Sequence, residues 1–306
     1  MDIGAGAREV DNAMPVFRFA PSPNGELHLG HAYSALLNHR LARDNQGKFL
    51  LRLEDIDLAR CSLAYEEQIV EDLRFLGVDW DEGRRRQSEH FERYAEALDV
   101  LKHDSLVYPS FMTRGEVRRT AERFEEETAE PWPHDPDGVP LYPGLDRSLS
   151  EAERDERIAA GERFAWRLDT SAALALHPDL TWYEGGEGPN GETGTVPADP
   201  SAWGDFILAR HDIPTSYHLA VVVDDALQGV TDVVRGRDLF FSTSAHRLLQ
   251  ALLGLPAPRY HHHDLILGDD GRKLSKSARD TSIRSLRAAG MTREDIVRLV
   301  GLEGLV

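Results

Sequence analysis

The chain has 306 residues, which is enough for one large domain or two modest ones with a substantial hydrophobic core. Hydrophobic residues make up 41% of the chain, and no apolar run approaches the roughly 18 residues that cross a bilayer, which argues against a membrane protein. The net charge of −18 argues against a globally basic surface for nucleic acid, although a local basic face is still compatible with it.

The N-terminal residues 1–14 contain no basic start followed by an apolar block. We therefore interpret them as a flexible lead rather than a secretory signal. Cys61 is the single cysteine, so an internal disulfide is excluded and a reducing, cytoplasmic location is expected.

Strands and helices alternate in the segment that follows the lead. Residues 16–20 predict a short buried strand, and 31–46 carry apolar residues at helical spacing. A second strand is predicted over 48–55, followed by a helix that Ser62 caps and Gly77 ends. This order is typical of a parallel sheet with crossover helices.

The middle of the chain has a different composition. Residues 106–215 are rich in Pro, Gly and Glu, and within them only 162–169 and 205–210 have the pattern of strands. We therefore predict an insertion with small strands and long loops.

A buried pattern returns after the insertion. Strands are predicted over 218–225, 232–236 and 263–267, and a helix is predicted to begin at Ser242 or Thr243.

The tail carries two short predicted helices, the second of which begins at Thr292 with a capping box to Asp295. The sequence thus predicts an α/β fold in which 15–105 and 216–260 form a Rossmann-like parallel sheet. Residues 106–215 form an inserted α+β subdomain, and 261–306 form a short helical C-terminal segment.

A loop with two histidines, 20–31 (APSPNGELHLGH), lies between the first predicted strand and helix. This is the carboxyl edge of a parallel sheet, where ligands bind, and a helix N-terminus attracts phosphate. Gly30 allows close approach, and His28 and His31 can donate hydrogen bonds as charge builds in a transition state. Alone, the pair could also be two surface residues at a helix start, and a zinc pair lacks a nearby third ligand.

A second loop, 268–277 (GDDGRKLSKS), carries Lys273 and Lys276 near the end of the chain. Two lysines on a flexible loop suit a clamp that closes on a polyphosphate. Alone, the loop could equally be a solvated basic segment.

The two loops in this order resemble the signatures of class I aminoacyl-tRNA synthetases, His-x-Gly-His at 28–31 and Lys-x-Ser-Lys-Ser at 273–277. The segments RFAPSPNGELHLGH, LLRLEDID and VVRGRDL are similar to the glutamyl branch of that family. The resemblance runs from about residue 16 to 280.

The segment SYHLAVVVDDALQGVTDVVRGRDL resembles a truncated paralogous family, the glutamyl-Q tRNA(Asp) synthetases. The resemblance implies that L-glutamate is activated with ATP and attached to queuosine, the modified base in the anticodon of tRNA(Asp). ATP would be a substrate accompanied by Mg²⁺, which phosphates mainly bind. The implied partners are therefore L-glutamate, ATP and tRNA(Asp) carrying queuosine, with no membrane, and we expect a cytoplasmic monomer.

The resemblance also assigns an amino-acid pocket. Arg18 and Arg235 would each pair with one substrate carboxylate, and Glu54 would take the ammonium group. The implied glutamate contacts are Arg18, Phe19, Ala20, Pro21, Ser22, Glu54, Tyr217 and Arg235. Those for ATP are His28, Gly30, His31 and Lys276, and the catalytic residues are His28, His31, Lys273 and Lys276.

Without the resemblance, Arg18 and Arg235 could instead form structural ion pairs with Asp55, Asp57 or Asp238. The acids Asp224 and Asp225 could orient substrate or cap a turn.

Many members of the family carry a zinc site in the insertion, built from a Cys-x-Cys pair, a tyrosine and a further cysteine. In this chain Ser110, Met112 and Asp146 stand where thiolates are expected, and Tyr142 alone cannot hold zinc. We therefore expect no metal there and predict that the loop around Trp132 replaces the zinc by packing.

Two short runs offer further candidates. The histidines at 261–263 lie on a predicted extended segment whose side chains alternate between faces, which disfavours a shared metal. The arginines at 84–86 are interpreted as a solvated loop, with a contact to tRNA phosphate as the alternative.

Three functions remain open at this level. The first is the tRNA-modifying ligase, and the second is a short glutamyl-tRNA synthetase that charges a tRNA 3′ end. The third is a non-catalytic paralogue that binds tRNA or protein and regulates, which the intact signature loops disfavour.

Overall fold

The computed structural model describes residues 14–266 and 282–303 of the chain. These residues form ten strands, which are Val16–Phe19 (β1), Lys48–Leu53 (β2), Arg85–Arg86 (β3), Val107–Ser110 (β4), Ala165–Leu168 (β5), Thr181–Glu184 (β6), Gly194–Pro197 (β7), Ile207–Arg210 (β8), Asp232–Gly236 (β9) and Arg259–His263 (β10).

The described residues also form ten α-helices. They are Leu29–Asp44 (α1), Leu63–Phe75 (α2), Phe91–His103 (α3), Arg114–Thr128 (α4), Glu151–Ala159 (α5), Thr170–Leu176 (α6), Tyr217–Leu227 (α7), Ser242–Leu252 (α8), Ile283–Ala288 (α9) and Arg293–Leu299 (α10). None of these helices combines the length and the apolar composition that crossing a bilayer requires.

The main sheet has seven strands in the order β3-β2-β1-β9-β10-β6-β7. Its neighbours pair in parallel except for the hairpin of β6 and β7 at one edge. This confirms the predicted Rossmann-like sheet. Because β1, β9 and β10 are adjacent and parallel, their carboxyl ends meet at the same edge, where a ligand site is expected.

Helices cover both faces of this sheet. On one face of the sheet, β1 and β2 carry Phe17, Phe19 and Leu51, which pack against α1, α2 and the C-terminal helices. Side chains alternate along a strand, so Arg18 and Arg52 point to the opposite face, where α7 and α8 lie. This alternation places two buried guanidinium groups on the side that carries the acids of α7.

The helix caps predicted from local sequence are confirmed. The Ser62 hydroxyl accepts a hydrogen bond from the Tyr65 N–H, and Gly77, which follows the C-cap residue Leu76 of α2, has a φ of +70°. Thr292 and Asp295 form the predicted capping box at the start of α10. The segment 232–236 is a strand and Ser242 begins α8, also as predicted.

The strand predicted over 218–225 is wrong, because these residues belong to helix α7. A short apolar run with three valines does not separate a buried strand from a buried helix. In the structure Ser216 caps the helix, and Leu219, Ala220, Val221 and their neighbours are buried on several sides. Tertiary packing here overrides the β preference of valine.

The strand predicted over 263–267 is displaced. The strand is β10, Arg259–His263, so the histidine run lies in the strand, whereas Leu265 and Ile266 lie beyond its end. A polar sequence is compatible with a central strand here because His262 and His263 are both buried and hydrogen-bonded.

The middle segment contains more helix than predicted, since α4, α5 and α6 occupy stretches that were interpreted as loops. Strands β4, β5 and β8 form a separate three-stranded sheet, as an inserted α+β unit requires. Strands β6 and β7, however, extend the main sheet although they lie inside 106–215. The division of the chain into domains at those boundaries therefore stays a prediction.

The solvated loop predicted for the arginines at 84–86 holds for Arg84, which is exposed before β3, but not for the other two. Arg85 and Arg86 form strand β3, and Arg85 pairs with Asp224 at 2.7 Å. Arg84 and Arg86 both pair with Glu66 at 2.7 Å. These ion pairs tie the edge of the main sheet to α2 and α7.

Candidate active site

A cavity of about 680 Å³ opens at the carboxyl ends of β1, β9 and β10. It brings together every predicted site residue that the structure describes, which are Arg18, Phe19, Ala20, Pro21, Ser22, His28, Gly30, His31, Glu54, Tyr217 and Arg235. Lys273 and Lys276 lie outside the described residues. The first signature loop and the residues that the resemblance assigns to glutamate therefore line one cavity.

His28 and His31 form the first turn of α1 together. The Nδ1 atom of His28 accepts a hydrogen bond from the Gly30 N–H at 3.1 Å, and the Nδ1 atom of His31 accepts one from the His28 N–H at 3.2 Å. This reciprocal pair is a capping box made of two imidazoles. Since each Nδ1 is an acceptor, the proton of each neutral ring resides on Nε2, which can act as a donor.

The described residues on both sides of the second signature lie close to this turn of α1. Ile266 lines the cavity, and Ser282 pairs with His28 in an isolated antiparallel bridge. Ile283 also donates its N–H to the Leu27 carbonyl at 2.8 Å. The last described residue before the second signature and the first one after it therefore both lie at or beside the cavity.

Arg18 is anchored from behind. Its Nε donates to Asp225 Oδ1 at 3.2 Å, and the side chain is 5% exposed. Neither terminal nitrogen of Arg18 has a hydrogen-bond partner within the described part of the chain. The structural partner is thus Asp225, rather than Asp55, Asp57 or Asp238 as considered above, and the guanidinium fork remains available to a carboxylate.

A buried charge network supports this position. Arg52 donates to Asp225 at 2.7 Å and to Glu54 at 3.2 Å. Burial opposes ionisation of Asp225, but the charges of Arg52 and Arg18 outweigh it and hold the pKa of Asp225 below its ordinary value. Arg18 and Arg52 therefore share Asp225 at the back of the cavity, and Arg52 also contacts Glu54.

Glu54 is the predicted contact for a substrate ammonium group. Burial raises the pKa of Glu54, and this effect exceeds the lowering by the Arg52 and Arg18 charges. An approaching ammonium group would add a further positive charge and favour the ionised carboxylate. A bound ammonium group would therefore lower the pKa of Glu54 again.

Arg235 lies on β9 and is 5% exposed. Its guanidinium contacts no carboxylate within 4.0 Å among the described residues, so it is not one of the structural ion pairs considered above. Its Nη1 contacts Tyr217 Oη at 3.4 Å, and burial raises the pKa of that tyrosine to about 12. The protonated Tyr217 hydroxyl therefore accepts from Arg235 and can donate its own proton into the cavity.

The sequence reasoning did not predict the structural roles of several residues that hold this site. They are Asp225 behind Arg18, and Thr243, His246 and His262 around Arg235. Tyr217 and Asp225 are eight residues apart, so they would share a face of a helix, and recognition of α7 would have revealed Asp225. No local signal identifies the other three, because they reach Arg235 from α8 and β10.

Among the described residues, no three side chains of His, Cys, Asp or Glu are grouped so that they could hold a metal ion. Within the histidine run, His262 is instead bonded to Glu184 Oε2 at 2.6 Å.

The position expected for zinc by resemblance holds a polar cluster around Asp146. Its carboxylate accepts the Phe111 N–H at 2.8 Å and the Tyr142 hydroxyl, and Arg157 lies 3.2 Å away. Nearby, Trp132 donates its indole N–H to the Leu141 carbonyl at 3.0 Å, and its ring contacts Phe124 edge-on. Hydrogen bonds and an ion pair around the buried Asp146 connect the segments at the expected zinc position, and the proposed role of packing around Trp132 stays a prediction.

Comparison with known proteins matches the family described as class I tRNA synthetases (E and Q), catalytic domain, over residues 16–306. The chain is 42% identical to Glutamyl-Q tRNA(Asp) synthetase of Rhodobacter capsulatus, covering 94% of this chain and 100% of that protein. It is 36% identical to Glutamate–tRNA ligase 2 of Syntrophus aciditrophicus, covering 96% of this chain and 58% of that protein.

A crystal structure of a glutamate tRNA ligase from Elizabethkingia meningosepticum in complex with its amino acid is also similar. It has a TM-score of 0.71 and 28% identity, and the match covers 91% of this chain and 54% of that chain. The chain thus spans about half the length of this glutamate tRNA ligase. It belongs to the class I tRNA synthetase (E and Q) catalytic-domain family and is an enzyme of the ligase type.

Proposed function

We propose that this enzyme activates L-glutamate with ATP and transfers it to queuosine in the anticodon of tRNA(Asp). The observation that carries the activation step is the cavity, which combines two buried guanidinium groups, one carboxylate and a histidine-capped helix N-terminus. These features suit an amino acid with two carboxylates beside a triphosphate.

The amino acid would be held by complementary charges. Arg18 presents its two terminal nitrogens to one carboxylate, and Glu54 receives the ammonium group. The other carboxylate approaches Arg235, where the long 3.4 Å contact to Tyr217 can be exchanged for a substrate oxygen. Glutamine would lose one charge-assisted contact in such a site, which is worth about 1.5–3 kcal/mol.

In the chemical step, an oxygen of the substrate α-carboxylate attacks the α-phosphorus of ATP, and pyrophosphate leaves. No covalent bond to the enzyme forms, so the protein contributes alignment and charge stabilisation. The Nε2–H groups of His28 and His31 would donate to phosphate oxygens as negative charge builds. We propose that Lys273 and Lys276 add positive charge at the same stage.

We propose that Mg²⁺ enters with ATP, bound mainly through phosphate oxygens. The described residues provide no three-ligand group for it, so they do not fit a dedicated protein site.

The finer proposal, transfer to queuosine, is supported by the likeness to the Rhodobacter capsulatus relative over its whole length. The activated glutamate would pass from its adenylate to a hydroxyl of the queuosine ring, with release of AMP. The competing function is charging of a tRNA 3′ end, which the name of the Syntrophus aciditrophicus relative suggests.

Two assays test these steps in order. ATP–pyrophosphate exchange with each amino acid should proceed with glutamate and without added tRNA; absence of exchange with every amino acid contradicts activation. Labelled glutamate should then be accepted by tRNA(Asp) that carries queuosine. Acceptance by tRNA(Glu) instead would support the 3′-charging function.

The role of the second signature loop has its own test. Lys276→Ala should lower the exchange rate much more than it raises the KM for glutamate, because the lysine is proposed to act on the leaving phosphates. Unchanged turnover would remove Lys276 from the mechanism.

A further inference from the structure

Arg235 is held by neutral acceptors from α7, α8, β10 and the turn that ends at Leu239. Its Nε donates to His262 Nε2 at 3.1 Å, and its Nη2 donates to Thr243 Oγ1 at 2.8 Å and to the Leu239 carbonyl at 3.1 Å. Its Nη1 contacts His246 Nδ1 at 3.3 Å in addition to Tyr217. All five N–H groups of the guanidinium are thus directed at uncharged partners.

These contacts fix the tautomers of the two histidines. An arginine has no acceptor atom, so His262 Nε2 and His246 Nδ1 must both be unprotonated. The proton of His262 is then on Nδ1, which donates to Glu184 at 2.6 Å. The proton of His246 is on Nε2, which donates to His218 Nδ1 at 3.2 Å.

The electrostatic environment supports neutral rings. Burial and the Arg235 charge lower the pKa of His246 well below its ordinary value. Burial also lowers the pKa of His262 to about 4, although the bond to Glu184 opposes this. At neutral pH neither ring competes with Arg235 for an anion.

The same arrangement keeps protein carboxylates away from Arg235. Glu184 is fully buried and receives hydrogen bonds from the His262 ring, the His262 N–H and the Gly186 N–H. Among its hydrogen bonds, Glu184 reaches the guanidinium only through the intervening imidazole. This contrasts with Arg18, which contacts Asp225 directly.

We propose that His246 and His262 are positioning residues for substrate recognition, which anchor Arg235 with neutral nitrogens and so reserve its charge for a carboxylate of the bound amino acid. The inference rests on the proposed function, because it takes a dicarboxylic amino acid as the ligand. It assigns to the two histidines the task of holding a cation without neutralising it.

The test compares a neutral with a charged acceptor at the same place. In His246→Asn the amide oxygen can replace Nδ1 as a neutral acceptor, whereas His246→Asp introduces a carboxylate of nearly the same shape. The Kd for L-glutamate is measured by calorimetry, and ATP–pyrophosphate exchange at saturating glutamate gives kcat.

We expect the Kd of His246→Asn to stay within about threefold of the wild type, while His246→Asp weakens glutamate binding about ten- to a hundredfold, as loss of one charge-assisted contact implies. The kcat should change much less than the Kd. A merely structural role predicts the opposite order, since a carboxylate anchors a guanidinium at least as firmly as an amide.

A second pair of variants protects the test against misfolding. Thr243→Asn and Thr243→Asp make the same comparison at the first turn of α8, where a negative charge favours the helix. Equal Kd values within both pairs overturn the inference, and so does a wild type that binds no glutamate. Glutamate binding without exchange contradicts the proposed function but leaves the inference standing.

Discussion

Acidification should destabilise this protein through its buried histidines. Burial and the charge of Arg235 lower the pKa of His218 to about 4 and that of His246 well below 6.5, and burial lowers that of His262 to about 4. In the unfolded chain these rings titrate near 6.5. Between pH 6.5 and 4 the unfolded state therefore binds more protons, and the free energy of unfolding falls as the pH is lowered.

The magnitude follows from the shift. A change in pKa from 6.5 to about 4 corresponds to about 3 kcal/mol of unfolding free energy per imidazole. Near pH 5, each ring adds the equivalent of almost one proton to the slope of the free energy of unfolding against pH. Two carboxylates act in the opposite direction, since burial raises the pKa of Asp72 to about 6 and raises that of Glu54. The three histidines outnumber these two carboxylates, so the free energy of unfolding still decreases as the pH is lowered.

The assay is urea unfolding between pH 4.5 and 7, for the wild type and for His218→Asn. The introduced amide can still accept a hydrogen bond from the His246 N–H, but it does not titrate. The slope of the free energy of unfolding against pH should therefore decrease by the equivalent of about one proton at pH 5. Replacement of the exposed His103 by Asn is the matched control, since it removes an imidazole that lies outside the buried cluster. Equal slopes for wild type and His218→Asn would refute the reasoning.

Three further substitutions test other parts of the structure. Arg18→Lys keeps the charge but removes the guanidinium fork, so the Kd for glutamate should rise about tenfold or more, whereas Arg40→Lys on the outside of α1 should not change it. Asp146→Asn should lower the free energy of unfolding by about 1–3 kcal/mol in chemical denaturation, since the buried carboxylate holds Phe111, Tyr142 and Arg157; an equal loss in the exposed Asp155→Asn would contradict this. Leu73→Ala on α2 removes a fully buried side chain and should lower the free energy of unfolding by about 2–5 kcal/mol in the same assay. A smaller loss would indicate that neighbouring core residues move in to fill the space left by the leucine.

Local signals in the sequence predicted much of the framework. The caps at Ser62 and Thr292 depend on contacts three residues apart, so the sequence contains all the information that they need. The loop that begins at residue 20 was also placed correctly between a strand and a helix, because that order is a property of neighbouring residues, although α1 begins at Leu29 rather than at His31.

Contacts between distant segments could not be predicted in the same way. The run at 218–225 has no periodicity that distinguishes a strand from a helix, and its conformation depends on the surfaces that bury it. The partner of Arg18 is Asp225, which is 207 residues away, and nothing near Arg18 indicates it. The acceptors of Arg235 likewise come together only when α8 and β10 pack against β9.

The imidazole cap on α1 has a consequence for the interpretation of rates. Because Nδ1 of each ring accepts a backbone hydrogen bond, both ring orientations are held in place, and the proposed donation to a triphosphate would require little reorganisation. The orientation of both imidazoles therefore depends on an intact first turn of α1. A slower His28→Ala enzyme would combine lost donation with a frayed helix, whereas His28→Asn retains a good N-cap and isolates the contribution of the distal nitrogen.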